Sequence, residues 1–142
     1  MIAFDTNLLV RLVTEDDPEQ FAAANRWLLY CEEHEEPCLI KVPVLCELLW
    51  VVKRLYGASR YDLALVVETL LNDDLFIVED SESVTEALRR FRAGGADFAD
   101  YLIGVNSAAR GASTTLTFDA ALRQEFGFTW IDAAKRTDQA NG

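Results

Sequence analysis

Five acidic side chains stand where a fold can gather them. Asp5 follows the short apolar run Ile2-Ala3-Phe4, and Asp119 follows a second run at 114–118. Glu47 lies one turn into a helical stretch after a third run at 38–42, and Asp97 and Asp100 flank the start of the helix that precedes 114–118. Two carboxylates about 4 Å apart repel by about 4 kcal/mol at an effective dielectric near 20. A gathered set therefore either raises some of its pKa values or binds divalent cations. The donors are all oxygens, with no converging His or Cys, which favours Mg2+ or Mn2+ over zinc. A carboxylate-held ion of this kind acidifies water and neutralises a phosphodiester during in-line displacement. Thr6, Asn7 and Thr117 are neutral neighbours suited either to orienting water or a phosphate oxygen, or to capping strand and helix ends. Each acid also has a structural reading. Asp5, Asp97 and Asp119 are N-cap candidates, and Asp97 with Asp100 reads as a variant capping box. Glu47, at the margin of an apolar stripe beside Val51 and Arg54, either reaches outward or faces a cleft.

The elements that must position these residues follow from periodicity. Strands are expected at 2–4, 38–42, 75–78, 114–118 and 129–131. Helices are expected at 8–13, then from Asp16-Asp17-Pro18-Glu19, with Phe21, Ala24, Leu28 and Cys31 on one face. Further helices follow Pro43 up to Gly57, begin near Ser59, run through Val84, Leu88 and Phe91 to Gly94-Gly95, span 98–110, and occupy 120–126. Alternating strands and helices predict an α/β fold, a three-layer sandwich with a central, mainly parallel sheet of about five strands. Ligands of such sheets bind beyond the carboxyl ends of the strands. The organisation expected is one domain over 1–134 and a polar C-terminal tail over 135–142.

Composition sets the outer bounds. At 142 residues the chain is the size of one domain, and 51% hydrophobic with 26% charged residues is a globular balance. No apolar run has the length of a membrane span, and Met1 to Asp5 carries no basic segment, so neither membrane nor signal peptide is expected and the location read is cytoplasmic. Thirteen Lys and Arg against twenty-four Asp and Glu give a net charge of −11. That balance disfavours non-specific nucleic-acid binding, so a nucleic-acid partner requires a local reversal of sign by metal cations or a basic protein. Cys31, Cys38 and Cys46 form no CxxC pair and read as small buried thiols rather than as a zinc site with His34. Arg89, Arg90 and Arg92 are candidate RNA-backbone contacts or a solvated helix face. Lys53, Arg54 and Arg60 form a weaker second patch, and Trp50, Tyr30, Tyr56 and Tyr61 stack on bases or fill a core or interface. The Leu- and Val-rich helices around 44–56 and 63–71 are the suggested dimer face.

Four segments together resemble a known family. Phe4-Asp5-Thr6-Asn7, Val42-Pro43-Val44-Leu45-Cys46-Glu47, Ala96-Asp97-Phe98-Ala99-Asp100-Tyr101-Leu102-Ile103 and Thr117-Phe118-Asp119 are similar, in order and spacing, to the motifs of PIN-domain ribonucleases, and most of all to VapC-type toxins of toxin–antitoxin pairs. The resemblance extends from Ile2 to about Asp132. It implies a Rossmann-like sheet and a Mg2+- or Mn2+-dependent RNase site. By position it makes Asp5, Glu47, Asp100 and Asp119 the catalytic, metal-binding acids and Asp97 an accessory ligand. Thr6, Asn7 and Thr117 become supporting groups. It further implies a homodimer and a cognate antitoxin peptide inserted at the acidic cleft. One departure is Ala120-Ala121-Leu122 where many relatives carry a further acid, which is compatible with one ion held by protein and another arriving with substrate.

The leading expectation is therefore a metal-dependent endoribonuclease that is a toxin restrained by an antitoxin. Two other classes stand beside it: a non-catalytic PIN-like module binding RNA or protein, and a phosphatase forming an aspartyl-phosphate at Asp5. Against the phosphatase, no second acid lies two residues after Asp5 and no lysine lies near the later motifs.

Overall fold

A computed structural model describes residues 1–134; the expected tail at 135–142 lies outside the described residues. The element order is β1 (Ile2–Ala3), α1 (Thr6–Thr14), α2 (Pro18–Glu33), β2 (Cys38–Ile40), α3 (Val42–Tyr56), α4 (Arg60–Asn72), β3 (Phe76–Val78), α5 (Ser81–Ala93), α6 (Phe98–Ala109), β4 (Thr115–Thr117), a 3-10 turn (Ala120–Leu122) and β5 (Phe128–Trp130). The strands pair in parallel, as expected for an α/β sandwich, in the order β1-β2-β3 and separately β4-β5. Pairing thus divides the expected five-stranded sheet into three and two. Strands of two or three residues offer few ladder bonds to extend it.

Register brings the strand ends to one edge. Ala3 pairs with Leu39, and Leu39 with Ile77, so Asp5, Lys41 and Glu79 leave the sheet at the same level. Strand β2 stops at Ile40 rather than at 42 because Glu79 takes up the Val42 amide. The Glu79 carboxylate accepts the Val42 amide at 3.1 Å, supplying the cap that Lys41 lacks and starting α3 before Pro43. The expected helix at 120–126 is also shorter, a single 3-10 turn. Gly127 adopts φ +86° and its carbonyl accepts the Thr115 amide at 2.8 Å, which commits the chain to β5 within a few residues.

One core joins these elements. Phe4, Ile40, Leu45, Leu48, Val67, Val84 and Tyr101 are buried in it, and Cys31 and Cys38 lie there as free thiols. Desolvation, followed by the neighbouring Cys31 thiol, pushes the Cys38 thiol up to about 12, so Cys38 packs as a small hydrophobe. His34 stacks on Tyr30 with ring centroids 4.1 Å apart and its Nδ1 lies 2.9 Å from the Tyr30 carbonyl oxygen. The apolar stripe of α4, Leu63, Val67 and Leu70, is buried within the chain, while Tyr61 and Leu65 of the same helix are exposed. No helix among the described residues is long and apolar enough to cross a membrane.

The far ends of α1 and α3 are tied at Asp16. Its carboxylate accepts the Tyr56 hydroxyl, the Thr14 hydroxyl at 2.9 Å and the Arg11 guanidinium at 2.9 Å. The Tyr56 and Thr14 hydroxyls, then Arg11, hold its pKa down at about 2 from an ordinary 3.8. A depressed folded-state pKa gives stability that is complete above the unfolded value and lost as pH falls through the folded one. Acid titration of Asp16→Asn, followed by circular dichroism, is expected to show a shallower loss of stability between about pH 4 and pH 2 than the wild type. An unchanged slope would remove Asp16 from the acid transition.

Candidate functional site

The site is assembled at the amino end of α6, and the chain must turn sharply to reach it. Between α5 and α6 the backbone runs through Gly94, Gly95 and Ala96. Arg60, the first residue of α4, gathers this turn: its guanidinium donates to the carbonyls of Ala96 at 2.8 Å, Phe91 at 2.7 Å and Gly94 at 3.0 Å. The same guanidinium lies 3.9 Å from the centroid of the Phe91 ring. From the other side the Tyr101 hydroxyl accepts the Ala96 amide at 3.2 Å and donates to Glu125 at 2.8 Å. Gly94 is needed for close approach, since a Cβ there would sit 1.9 Å from the Tyr101 hydroxyl oxygen.

This turn delivers Asp97 and Asp100. Asp97 occupies the N-cap position of α6, but its side chain makes no cap bond and the expected capping box does not form; its carboxylate pairs instead with Lys53 at 2.8 Å. Asp100 lies in the first helical turn, where the helix dipole favours an anion. Even so its pKa is raised, first by burial, then by the charges of Asp97 and Asp119, with the Asp97 backbone bond and Lys53 opposing. Asp97, Asp100 and Asp119 therefore share one electrostatic neighbourhood, joining the start of α6 to the end of β4.

The other predicted acids sit at their expected elements. Asp5 is the N-cap of α1, accepting the Leu8 amide at 3.1 Å through one oxygen. Asp119 caps the 3-10 turn in the same way, accepting the Ala121 amide at 2.9 Å. Each spends one carboxylate oxygen on a backbone amide and keeps the other. Glu47 is exposed on α3 and makes no hydrogen bond or ion pair among the described residues. Thr6 is buried, Asn7 is exposed, and the Thr117 hydroxyl accepts the Asp119 amide at 3.0 Å, fixing the turn that carries Asp119. Among the described residues no three His, Cys, Asp or Glu side chains stand close enough to enclose an ion. The donor type suits a hard, oxygen-seeking cation, and the raised pKa of Asp100 records the excess negative charge that such a cation offsets.

The arginines of α5 are drawn into the scaffold. Arg89 and Arg90 both pair with Glu86, at 2.6 Å and 3.0 Å, Arg90 also reaches the Phe126 carbonyl oxygen, and Arg92 pairs with Glu68. Lys53 and Arg60, read from sequence only as a weak patch, are the cations that touch the site. The available signal was helical spacing: Trp50, Lys53 and Arg54 fall on one face of α3. Tyr101 gave none, because its partners Ala96 and Glu125 meet it only through the fold.

The chain belongs to the PIN domain family, whose model matches residues 2–124. It is similar to a VapC ribonuclease of Aquifex aeolicus (strain VF5), with 25% identity over 132 residues, covering 93% of this chain and 96% of the relative. No solved structure matches it.

Gly94→Ala is expected to displace the Tyr101 hydroxyl and destabilise the protein by about 1–3 kcal/mol, the usual cost of overpacking. Arg60→Ala is expected to cost about 1–3 kcal/mol through the carbonyls it leaves unpaired. Urea unfolding of both variants measures the effects; wild-type midpoints would show that the turn holds without either contact.

Proposed function

We propose that this chain is a Mg2+- or Mn2+-dependent endoribonuclease and the toxin component of a toxin–antitoxin pair. The observation that carries the reading is the charge at Asp100: a half-buried carboxyl beside Asp97 and Asp119, at the strand-end edge of a PIN domain, in a chain similar to a VapC ribonuclease. Asp5, Glu47, Asp100 and Asp119 are the catalytic acids, and Asp5, Asp97, Asp100 and Asp119 are the ones that hold the ion. When bound, the divalent ion supplies neutralisation of the phosphodiester and acidification of water. Asp100 is the central member, because burial and the fixed backbone of α6 restrict where its carboxylate can go. Thr117 holds Asp119 through its amide, and Thr6 and Asn7, in the turn after Asp5, orient water or a phosphate oxygen. Water attacks phosphorus in line with the leaving 3′ oxygen: a P–O bond to the water oxygen forms, the P–O3′ bond breaks, a proton from the water passes to O3′, and a 5′-phosphate and a 3′-hydroxyl are left.

Partners belong to the same reading. An antitoxin inserted at the acidic cleft would bring the positive charge that this locus lacks. Exposed Trp27 and Tyr30 on α2 and Tyr61 and Leu65 on α4 offer apolar surface to the antitoxin or to a second copy in a homodimer. The reading places the protein in the cytoplasm, where its RNA is.

Purified protein freed of antitoxin is expected to cleave RNA with added Mg2+ or Mn2+ and to stop in excess EDTA. Asp100→Asn is expected to lower the cleavage rate by roughly 10²-fold or more, the scale of losing one charge-positioning group. The same substitution has a second signature. An acid whose folded pKa is raised costs stability where it is ionised, so Asp100→Asn is expected to raise the melting temperature at neutral pH. The gain disappears below about pH 4, where the wild-type carboxyl is protonated in both states. Metal-independent cleavage, or full activity in Asp100→Asn, would falsify the mechanism.

A further inference from the structure

We propose that the pocket between α3, the start of α4 and the start of α6 is a nucleotide subsite for single-stranded RNA, in which an unpaired base stacks on Trp50 and its phosphate meets Arg54. The inference rests on the nuclease reading and adds where the strand lies relative to the acids.

The pocket holds about 350 Å³, at the lower end of ligand sites and large enough for one base. Its floor is apolar, with Phe98 beneath, and its walls carry Trp50, Lys53, Arg54, Arg60 and Asp97. Trp50 is 58% exposed, an unusual position for the largest apolar side chain, and presents a flat ring. The Arg54 guanidinium lies 5.4 Å from the centroid of that ring and has no carboxylate partner among the described residues. Three cations face one acid here, in a chain of net charge −11. This is the local reversal of sign that a polyanion requires.

Charge and geometry together favour RNA. The α5 arginines are consumed by Glu86 and Glu68, whereas Arg54 remains available to a phosphate. An aromatic face beside a free guanidinium is the combination that binds single strands, because every base offers a π-face and every linkage a charge. A duplex keeps its bases stacked inside and cannot use the ring. The pocket also joins the acidic site directly. Lys53 on its wall pairs with Asp97, and both act on Asp100, so a strand seated on Trp50 continues past the carboxylates.

The test uses the full chain carrying Asp100→Asn, which keeps the RNA uncut, and a short, end-labelled single-stranded oligoribonucleotide of mixed sequence read by fluorescence anisotropy. Adding Trp50→Ala is expected to weaken binding roughly tenfold, with Trp50→Phe restoring most of it. Adding Arg54→Ala is expected to reduce the slope of log affinity against log salt by about one, with Arg54→Lys keeping the slope. The same variants leave any binding of duplex RNA unchanged. Both side chains are exposed, and circular dichroism checks the fold; should Trp50→Ala misfold, Trp50→Phe and the Arg54 pair decide. RNA binding that is unchanged in affinity and salt slope overturns the subsite alone and leaves the nuclease reading standing. No RNA binding by the Asp100→Asn protein, together with no cleavage by the wild type, overturns the subsite and the nuclease reading alike.

Discussion

Repulsion among the carboxylates at the start of α6 is the constraint to which the surrounding structure responds. Asp97 and Asp119 act on Asp100 as like charges, and burial reinforces them. Left to itself, such a cluster would spread into solvent. It is held because the backbone carrying it is pinned from two directions. Arg60 binds three carbonyls of the preceding turn, and Tyr101 closes the turn from within the core. Stability is thus supplied by neutral and cationic contacts behind the acids, and the acids themselves remain under tension. Negative charge held in this way gives up little conformational freedom when a positive group meets it.

The distribution of the few cations follows the same logic. With thirteen basic residues against twenty-four acidic ones, each position of positive charge matters. Lys41 is spent on Glu79 and Arg92 on Glu68, across elements, while Arg89 and Arg90 pair with Glu86 within α5 and Arg11 with Asp16 just beyond α1. Lys53 moderates Asp97 at the edge of the acidic locus, and Arg54 lies against Trp50. The surface beside the acids is therefore less negative than the composition suggests. Short-range arrangement overrides net charge here, because screening limits an exposed charge to about 8–10 Å of influence at physiological salt.

Much of the frame was legible from spacing. Helices α2 and α4 begin, and α3 ends, close to the expected positions, because Pro18, Ser59 and Gly57 act locally through fixed φ, a capping box and a left-handed cap. Asp5 and Asp119 cap as their positions suggested, while Asp97 does not, since Lys53, more than forty residues away in sequence, competes for its carboxylate. After Asp119 the chain makes a 3-10 turn instead of the expected helix, because the bond from Thr115 to Gly127 that shortens it is non-local.

The amino-acid order by itself determined which residue types stand at the strand ends, the alternation that makes the strands parallel, and the oxygen-only character of the acidic set. These are properties of neighbours along the chain, decided by backbone preference and side-chain chemistry. Only the tertiary structure decided which acids feel one another, that Arg60 and Tyr101 are the braces, that the α5 arginines are committed elsewhere, and that Trp50 and Arg54 open onto a pocket beside Asp97. Those outcomes depend on distances between residues far apart in sequence, and electrostatic energy is set by distance and burial rather than by position in the chain.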